Sequence, residues 1–265
     1  MIDLGFVTDE LSPSFPDALA HGLSWGVTRF ELRMLTESRV PFVRSADLTA
    51  IRDAIRNEGI RITALSPGMF KLQPDDRSGI AREIAELLPR TLDLALELAS
   101  PLVIVFGFPR GGDADGRARA IDAMRRATEI AATAGIVLAV ENEPGFFCDS
   151  ASNTADFLDA VASPFLKANW DPANAIGTGE QPFPEGYAAL RRHIANVHAK
   201  DTVDGSLLRC VPIGEGLVDW REQVLAIDAD SVVTHVTIET HCLPLLENSK
   251  RNLDTLRAYL AQHAA

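Results

Sequence analysis

Eight short apolar runs, each separated from the next by a stretch long enough for a helix, constrain this 265-residue chain more than any other feature. Residues 2–7, 28–32, 60–65, 102–106, 137–141, 166–171, 194–199 and 232–239 read as buried strands. The segments between them carry the other period. Ile80, Ile84, Leu87, Thr91, Leu94 and Leu98 recur at helix-face spacing, as do Leu246, Leu253, Leu256 and Leu260. Gly59 and Gly135 stand just before strands, where a helix ends on a residue that tolerates positive φ. Ser152 or Asn153 is expected to cap the helix that carries Phe157 and Leu158.

Strands that alternate with helices form a parallel sheet joined by right-handed crossovers. An open doubly wound sheet would satisfy the alternation as well as a closed barrel. Two observations choose between them. No G-x-G-x-x-G follows the first run, and polar residues end many of the runs rather than clustering at one switch point. The expected architecture is therefore an α/β chain forming one (β/α)8 TIM barrel over residues 1–265, near the ~250 residues typical of such barrels. No long linker, low-complexity segment or short-period repeat interrupts it.

Composition narrows the function classes. Hydrophobic residues at 46% and charged residues at 23% are those of a soluble globular protein. No run reaches the ~20 apolar residues of a membrane span, and the N-terminus lacks the pattern of a secretory signal. The three cysteines, Cys148, Cys210 and Cys242, are odd in number and far apart, so a reducing, cytoplasmic setting is expected. A net charge of −12 repels phosphate backbones and argues against a nucleic-acid partner. It leaves a small-molecule substrate open.

The chemistry lies in what ends the last four strands. Strand five closes on Glu141-Asn142-Glu143, strand six on Asn169-Trp170-Asp171, strand seven on His198-Ala199-Lys200-Asp201 and strand eight on Glu239-Thr240-His241. In a closed barrel these ends meet on one face. Singly, a strand-end carboxylate is a helix cap or a surface charge, and a lone strand histidine is a core residue. Four candidate ligands on four successive strands are a different matter. Three carboxylates brought together resist ionising unless a cation joins them. Glu141, Asp171, His198 and Glu239 thus form a set suited to one divalent ion, Mn²⁺, Mg²⁺ or Co²⁺, with Zn²⁺ also accommodated. Glu143 shares a face with Glu141 and is the alternative ligand, but it precedes Pro144 and reads as loop.

With these residues in place the chain resembles the sugar phosphate isomerase/epimerase superfamily, the xylose isomerase-like barrels. The resemblance runs through Val7-Thr8-Asp9-Glu10-Leu11, Glu31-Leu32-Arg33, Glu141-Asn142, Asp171-Pro172-Ala173-Asn174, His198-Ala199-Lys200-Asp201, Pro212-Ile213-Gly214-Glu215-Gly216 and Asp219-Trp220. It implies that Glu141, Asp171, His198 and Glu239 hold a single metal and that Glu141 and Glu239 double as an acid–base pair. A dimer or tetramer is what the resemblance implies for assembly. In such chemistry a metal on adjacent carbonyl and hydroxyl oxygens acidifies the neighbouring C–H and stabilises the enediolate, and two carboxylates remove and return the proton. Epimerisation, aldose–ketose isomerisation and loss of a β-hydroxyl all follow from such a site.

Around the quartet, Glu31 and Arg33 share a face at the end of strand two and either brace the mouth or touch substrate. Lys200 lies on the His198 face, able to bind substrate or to pair with a strand-end acid. Asn174 stands where several relatives carry histidine, which bears on substrate contacts. Arg209 follows strand seven as a candidate substrate contact. The loop Gly107-Phe108-Pro109-Arg110-Gly111-Gly112 either turns the chain or cradles phosphate, and Gly214-Glu215-Gly216 reads as a turn before a helix near Val218. Trp25, Trp170 and Trp220 read as packing residues. The leading expectation is a metal-dependent isomerase or epimerase of carbohydrate metabolism acting on a small sugar or hydroxy-keto compound. A dehydratase or lyase on an inosose- or dehydroshikimate-like substrate and a non-catalytic sugar-binding barrel are the alternatives. Endonuclease IV-type cleavage is disfavoured, because strands three and four end in Leu65-Ser66-Pro67 and Phe106-Gly107 without the extra histidines a multi-zinc cluster needs.

Overall fold

The computed structural model describes residues 1–111 and 114–263. Eight strands close into a parallel barrel in the order β1-β8-β7-β6-β5-β4-β3-β2, with β2 returning to β1. They are β1 (Asp3–Val7), β2 (Arg29–Leu32), β3 (Arg61–Leu65), β4 (Leu102–Phe106), β5 (Val137–Glu141), β6 (Leu166–Trp170), β7 (Ile194–Ala199) and β8 (His235–Ile238). All eight apolar runs become these strands. The last starts three residues later than its run, because Ser231 ends the preceding helix in the left-handed region at φ 52° and the chain must recover before pairing.

Helices cover the outside. The periodic stretch beginning at Ile80 runs from α-helix (Arg77–Arg82) through a π turn (Glu83–Leu87) into a second α-helix (Leu88–Glu97), and the C-terminal stretch forms the helix Leu245–His263. Gly59 and Gly135 take φ of 67° and 69° at helix ends, conformations that a side chain would strain. The helix Ala151–Val161 is capped by Ser150, not by Ser152 or Asn153. Ser150 has extended backbone and its hydroxyl accepts from Asn153 N–H, so the residues expected to cap already lie in the first turn. Asp219 likewise caps the helix Trp220–Asp230 by accepting from Glu222 N–H, two residues past the expected start. No helix among the described residues is long and apolar enough to cross a membrane, and among the described residues no disulfide joins any of Cys148, Cys210 and Cys242.

Alternation along each strand sorts the core into two layers. Val103, Val105, Leu138, Val140, Ala168, Trp170, Val197, Val236 and Ile238 join the large cluster beneath the helices. Ala64, Leu102, Ile104 and Ala139 form a separate small plug inside the barrel. Above that plug the interior turns polar. Glu31, Asn169, Asn196 and Thr237 are fully buried and lead up to the strand ends. Register shifts between Phe30 and Glu31 and between Ala168 and Asn169 fall within this belt, and such irregularities re-aim the side chains beside them.

His235 sits at the opposite, N-terminal end of β8, buried, with Nε2 lacking a hydrogen-bond partner. Burial, opposed by Glu31 and Asp3 and reinforced by Arg29 and His198, lowers its pKa to about 4. The folded pKa is below that of the unfolded chain, so the unfolded state takes up the proton first as pH falls. Stability is lost between the unfolded value near 6.5 and the folded value near 4. Urea titrations at pH 7 and pH 5 should show wild type losing about 2 kcal/mol more than His235→Phe over that interval. Equal losses in the two proteins would mean that His235 is not the group responsible.

Candidate metal and proton-transfer site

The register of the barrel levels the strand ends on one face. Phe106 aligns with Glu141, Glu141 with Asn169, Asn169 with Asn196, and His198 with Thr237. One ligand atom from each of Glu141, Asp171, His198 and Glu239 lies within 4.8 Å of the other three, and all four residues are buried. Glu143, the alternative to Glu141, stays outside this cluster. It sits in the loop after β5 and pairs with Lys71 Nζ at 2.8 Å.

Each member is held by the chain around it. His198 Nε2 lies 2.9 Å from Glu31 Oε2, which fixes the ring and leaves Nδ1 facing Glu141 Oε2 and Glu239 Oε2, each at 3.5 Å. Glu31, expected among the substrate contacts, is fully buried behind His198 and does not line the cavity. Strand parity gave its face correctly but not its depth. Asn196 links Glu31 to Asn169, and Asn169 reaches Glu141 Oε2 at 3.2 Å and His198 Nδ1 at 3.1 Å. Asp171 also caps the short helix Pro172–Ile176, with Oδ1 accepting from Asn174 N–H at 3.1 Å. Asn142, noted in the sequence only as a cue to resemblance, exchanges two 2.8 Å hydrogen bonds with the Asp171 backbone and so locks β5 to β6. Asn174 donates to Asn142 O at 2.8 Å and approaches Glu141 Oε1 at 3.4 Å.

Cations answer the carboxylates. Lys200 is buried, with Nζ 2.7 Å from Asp171 Oδ2 and 3.3 Å from Glu239 Oε2. It therefore pairs with strand-end acids and also lines the cavity. Arg33 Nη1 lies 2.6 Å from Glu239 Oε1, and Nη2 lies 2.6 Å from Glu10 Oε1 and 2.9 Å from Asp9 Oδ2. This guanidinium ties the ends of β1, β2 and β8 together. It also sits among Glu10, Glu239 and His241, a second group with the makings of a cation site, so that site is already satisfied by the protein.

The two candidate acid–base residues differ. Burial drives the Glu141 carboxyl up to about 7, with Glu239 and Asp171 adding and His198 and Lys200 opposing. Burial pushes Glu239 the same way, but Lys200, His241 and His198 overcome it and hold Glu239 well below the usual carboxylate range. His198 is lowered by burial, yet Glu31, Glu239 and Glu141 together raise it well above its ordinary value. The donor set suits a divalent ion: three carboxylates and one imidazole nitrogen converge. Asp171 Oδ2 is buried and accepts no well-formed hydrogen bond despite the nearby ammonium.

A cavity of about 130 Å³ opens beside the quartet, walled by Arg33, Arg39, Ser66, Lys71, Phe106, Glu141, Glu143, Asn174, Lys200, Glu239 and His241. Larger hollows of about 350 and 370 Å³ lie at the N-terminal strand ends around Asp3, Arg29 and His235, without convergent ligands. Arg209 is not part of the site. The antiparallel pair of Asp201–Thr202 with Cys210–Val211 turns it outward, 64% exposed and 3.7 Å from Asp204. Arg110 is tied to Asp149 by two hydrogen bonds of 3.0 and 2.9 Å, and its loop pairs at Pro109 with Phe146. Gly112 of that loop lies outside the described residues. Trp170 and Trp220 are buried, their indole N–H groups donating to Gln223 Oε1 and Lys200 O. Arg39, Lys71 and His241 carried no assigned role from the sequence. The first two arrive on the connections that follow β2 and β3, beyond the strand-end motifs, and His241 takes a left-handed φ of 51°.

Known proteins give the same picture of the fold. A protein of Escherichia coli (strain K12) provisionally named L-ribulose-5-phosphate 3-epimerase SgbU is 28% identical over 220 residues, 78% of this chain and 77% of that protein. Among solved structures, the probable 3-DHS dehydratase AsbF of Bacillus anthracis superposes with TM-score 0.83 at 18% identity, covering 97% of this chain and 99% of its own. The IOLI protein, solved with a bound zinc atom, gives TM-score 0.81 at 17% identity over 98% and 99%.

Asp201 shows how the rim depends on one buried side chain. Its carboxylate accepts from the N–H groups of Thr202, Gly214, Gly216 and Val218, and a Cβ on Gly216 would run into its Oδ1. Asp201→Ala should therefore lower unfolding free energy by about 2–4 kcal/mol in urea titration and speed amide exchange at residues 214–218. Unchanged exchange there would show that the loop is held by something else. The family model for the Xylose isomerase-like TIM barrel matches residues 19–260, and this chain belongs to that family.

Proposed function

We propose that this chain is an isomerase or epimerase of a small sugar-like or hydroxy-keto compound, dependent on one divalent ion held by Glu141, Asp171, His198 and Glu239. The observation that carries this reading is the convergence of those four buried side chains beside a cavity that Glu141 and Glu239 both line. A divalent ion bound there would polarise a carbonyl and offset negative charge developing on its oxygen. The epimerase name of the Escherichia coli relative and the zinc in the IOLI protein support the reading.

The chain's own residues supply the proton chemistry. Glu141 and Glu239 come from strands that are separated by β6 and β7, so they face a substrate from different parts of the barrel wall. One carboxylate takes the proton from the carbon beside the carbonyl and the other delivers one. Return to the same carbon from the other side inverts it; delivery to the neighbouring carbon isomerises. Glu31 and Asn169 hold His198, and Asn174 steadies Glu141. Phe106 contributes an apolar ring to the cavity wall, with Lys71 Nζ 3.7 Å from its centroid. A pure binding barrel would have no use for a buried pair of glutamates held this way.

Chelator-treated and reconstituted protein should bind about one divalent ion per chain, measured by metal analysis. Glu31→Gln should weaken that binding about 10- to 100-fold, because it removes the charge behind His198. Incubation of the loaded protein with a panel of ketoses and inososes in D2O should place deuterium next to a carbonyl. Glu239→Gln should slow this about 10²- to 10⁴-fold with the far-UV circular dichroism unchanged. Metal binding with no exchange or dehydration of any panel member would sink the proton-transfer reading.

A further inference from the structure

Four cationic side chains line the cavity, and three of them are matched. Arg33 has Asp9, Glu10 and Glu239; Lys71 has Glu143; Lys200 has Asp171 and Glu239. Arg39 has none: among the described residues no carboxylate, carbonyl or hydroxyl bonds its guanidinium. A half-buried guanidinium with five N–H donors and no acceptor is an open anion site.

The fold puts Arg39 there deliberately. It ends the hairpin Met34–Leu35 with Ser38–Arg39, which follows β2 and hangs over the mouth. Its guanidinium rests on the backbone of Gly68, where a Cβ would collide with Nη1 and where φ is +78°. Only glycine leaves that space free. The guanidinium lines the same open cleft, of about 130 Å³, as Glu141 and Glu239. Anything that touches all three is short, and its anionic group lies only a few bonds from the reacting carbon. Burial and Arg33 lower the pKa of Arg39, opposed by the fields of Asp9, Glu141 and Glu239.

We infer that the substrate is a small hydroxy-keto carboxylic acid whose carboxylate docks on Arg39 while its carbonyl end lies at the quartet. This rests on the proton-transfer reading above and names the class of compound that site would take. A planar carboxylate matches the fork of the guanidinium with two parallel hydrogen bonds. A neutral ketose would leave this half-buried cation without an acceptor. A terminal phosphate on a longer sugar would place its charge too far from the reacting carbons for one cavity of this size.

The probes are 2-keto-D-gluconate, D-fructose and D-fructose 6-phosphate, titrated calorimetrically into wild type, Arg39→Gln and Arg39→Lys, with and without Mn²⁺. Wild type should bind the keto acid about 10- to 100-fold more tightly than fructose. Arg39→Gln should erase that preference by weakening the keto acid far more than fructose, and Arg39→Lys should restore part of it. Equal binding of keto acid and fructose by wild type, tighter binding of the phosphate, or equal loss for all probes in Arg39→Gln would each overturn the inference. Deuterium exchange on the same compounds separates the two readings. Arg39-dependent binding without exchange in any compound removes the proton-transfer reading and leaves the anion site. Exchange confined to fructose does the reverse.

Discussion

Everything at the C-terminal face of this barrel follows from one electrostatic constraint: Glu141, Asp171 and Glu239 are buried within reach of one another. Like charges so placed cannot stay ionised without compensation, and burial raises the cost further. The chain answers with fixed cations. Lys200 stands between Asp171 and Glu239, and Arg33 joins Glu239 to Glu10 and Asp9. These pairs are expensive to desolvate, so they add little to stability by themselves. Their effect is to dictate where each carboxylate points, and through Arg33 to pin the seam where β8 meets β1 and β2.

The constraint propagates downward into the barrel. A histidine among three carboxylates would be free to rotate unless its far nitrogen were held, and Glu31 holds it at 2.9 Å. Glu31 in turn needs donors, which Asn196 supplies, and Asn196 passes the chain to Asn169 and back to Glu141. Buried polar groups in such a network orient one another, although Glu31 Oε1, Asn196 Oδ1 and Thr237 Oγ1 have no hydrogen-bond partner among the described residues. The interior is therefore a hydrogen-bonded belt resting on a small apolar plug of Ala64, Leu102, Ile104 and Ala139. The two register shifts within that belt lie beside Glu31 and Asn169, the residues whose direction matters most to His198.

The strands and the quartet were legible because both depend on local pattern. An apolar run fixes a strand, strand parity fixes a face, and parallel register brings the ends level. Depth and tertiary approach leave no such trace. Glu31 and Arg33 share a face, yet Glu31 lies beneath His198 while Arg33 reaches the cavity. Arg209 looked well placed after β7, but the short antiparallel pair that follows turns it to solvent. Arg39 and Lys71 reach the cavity from a hairpin and from a loop beside a left-handed Phe70, neither marked by a repeating pattern. Phe70 is held in that conformation by stacking on Phe108 at 4.9 Å and by donating its N–H to Glu83, contacts between residues far apart in sequence.

The distribution of cations gives the two glutamates unlike surroundings. Glu239 meets Arg33, Lys200, His198 and His241, all charged or chargeable donors. Glu141 meets mostly amides, from Asn169 and Asn174, together with His198. Amides orient a carboxyl group without strongly favouring its ionised form, whereas guanidinium and ammonium groups do favour it. Two carboxylates in one cavity are thereby held at different proton affinities, which is the arrangement that lets one group give a proton while the other receives. Asn174 contributes directly to this asymmetry. A cationic side chain in its place would draw Glu141 toward the behaviour of Glu239 and make the pair alike. The neutral amide preserves the difference, and it does so at a position one helical turn from a metal-ligand candidate, whose carboxylate Oδ1 accepts from the Asn174 backbone N–H.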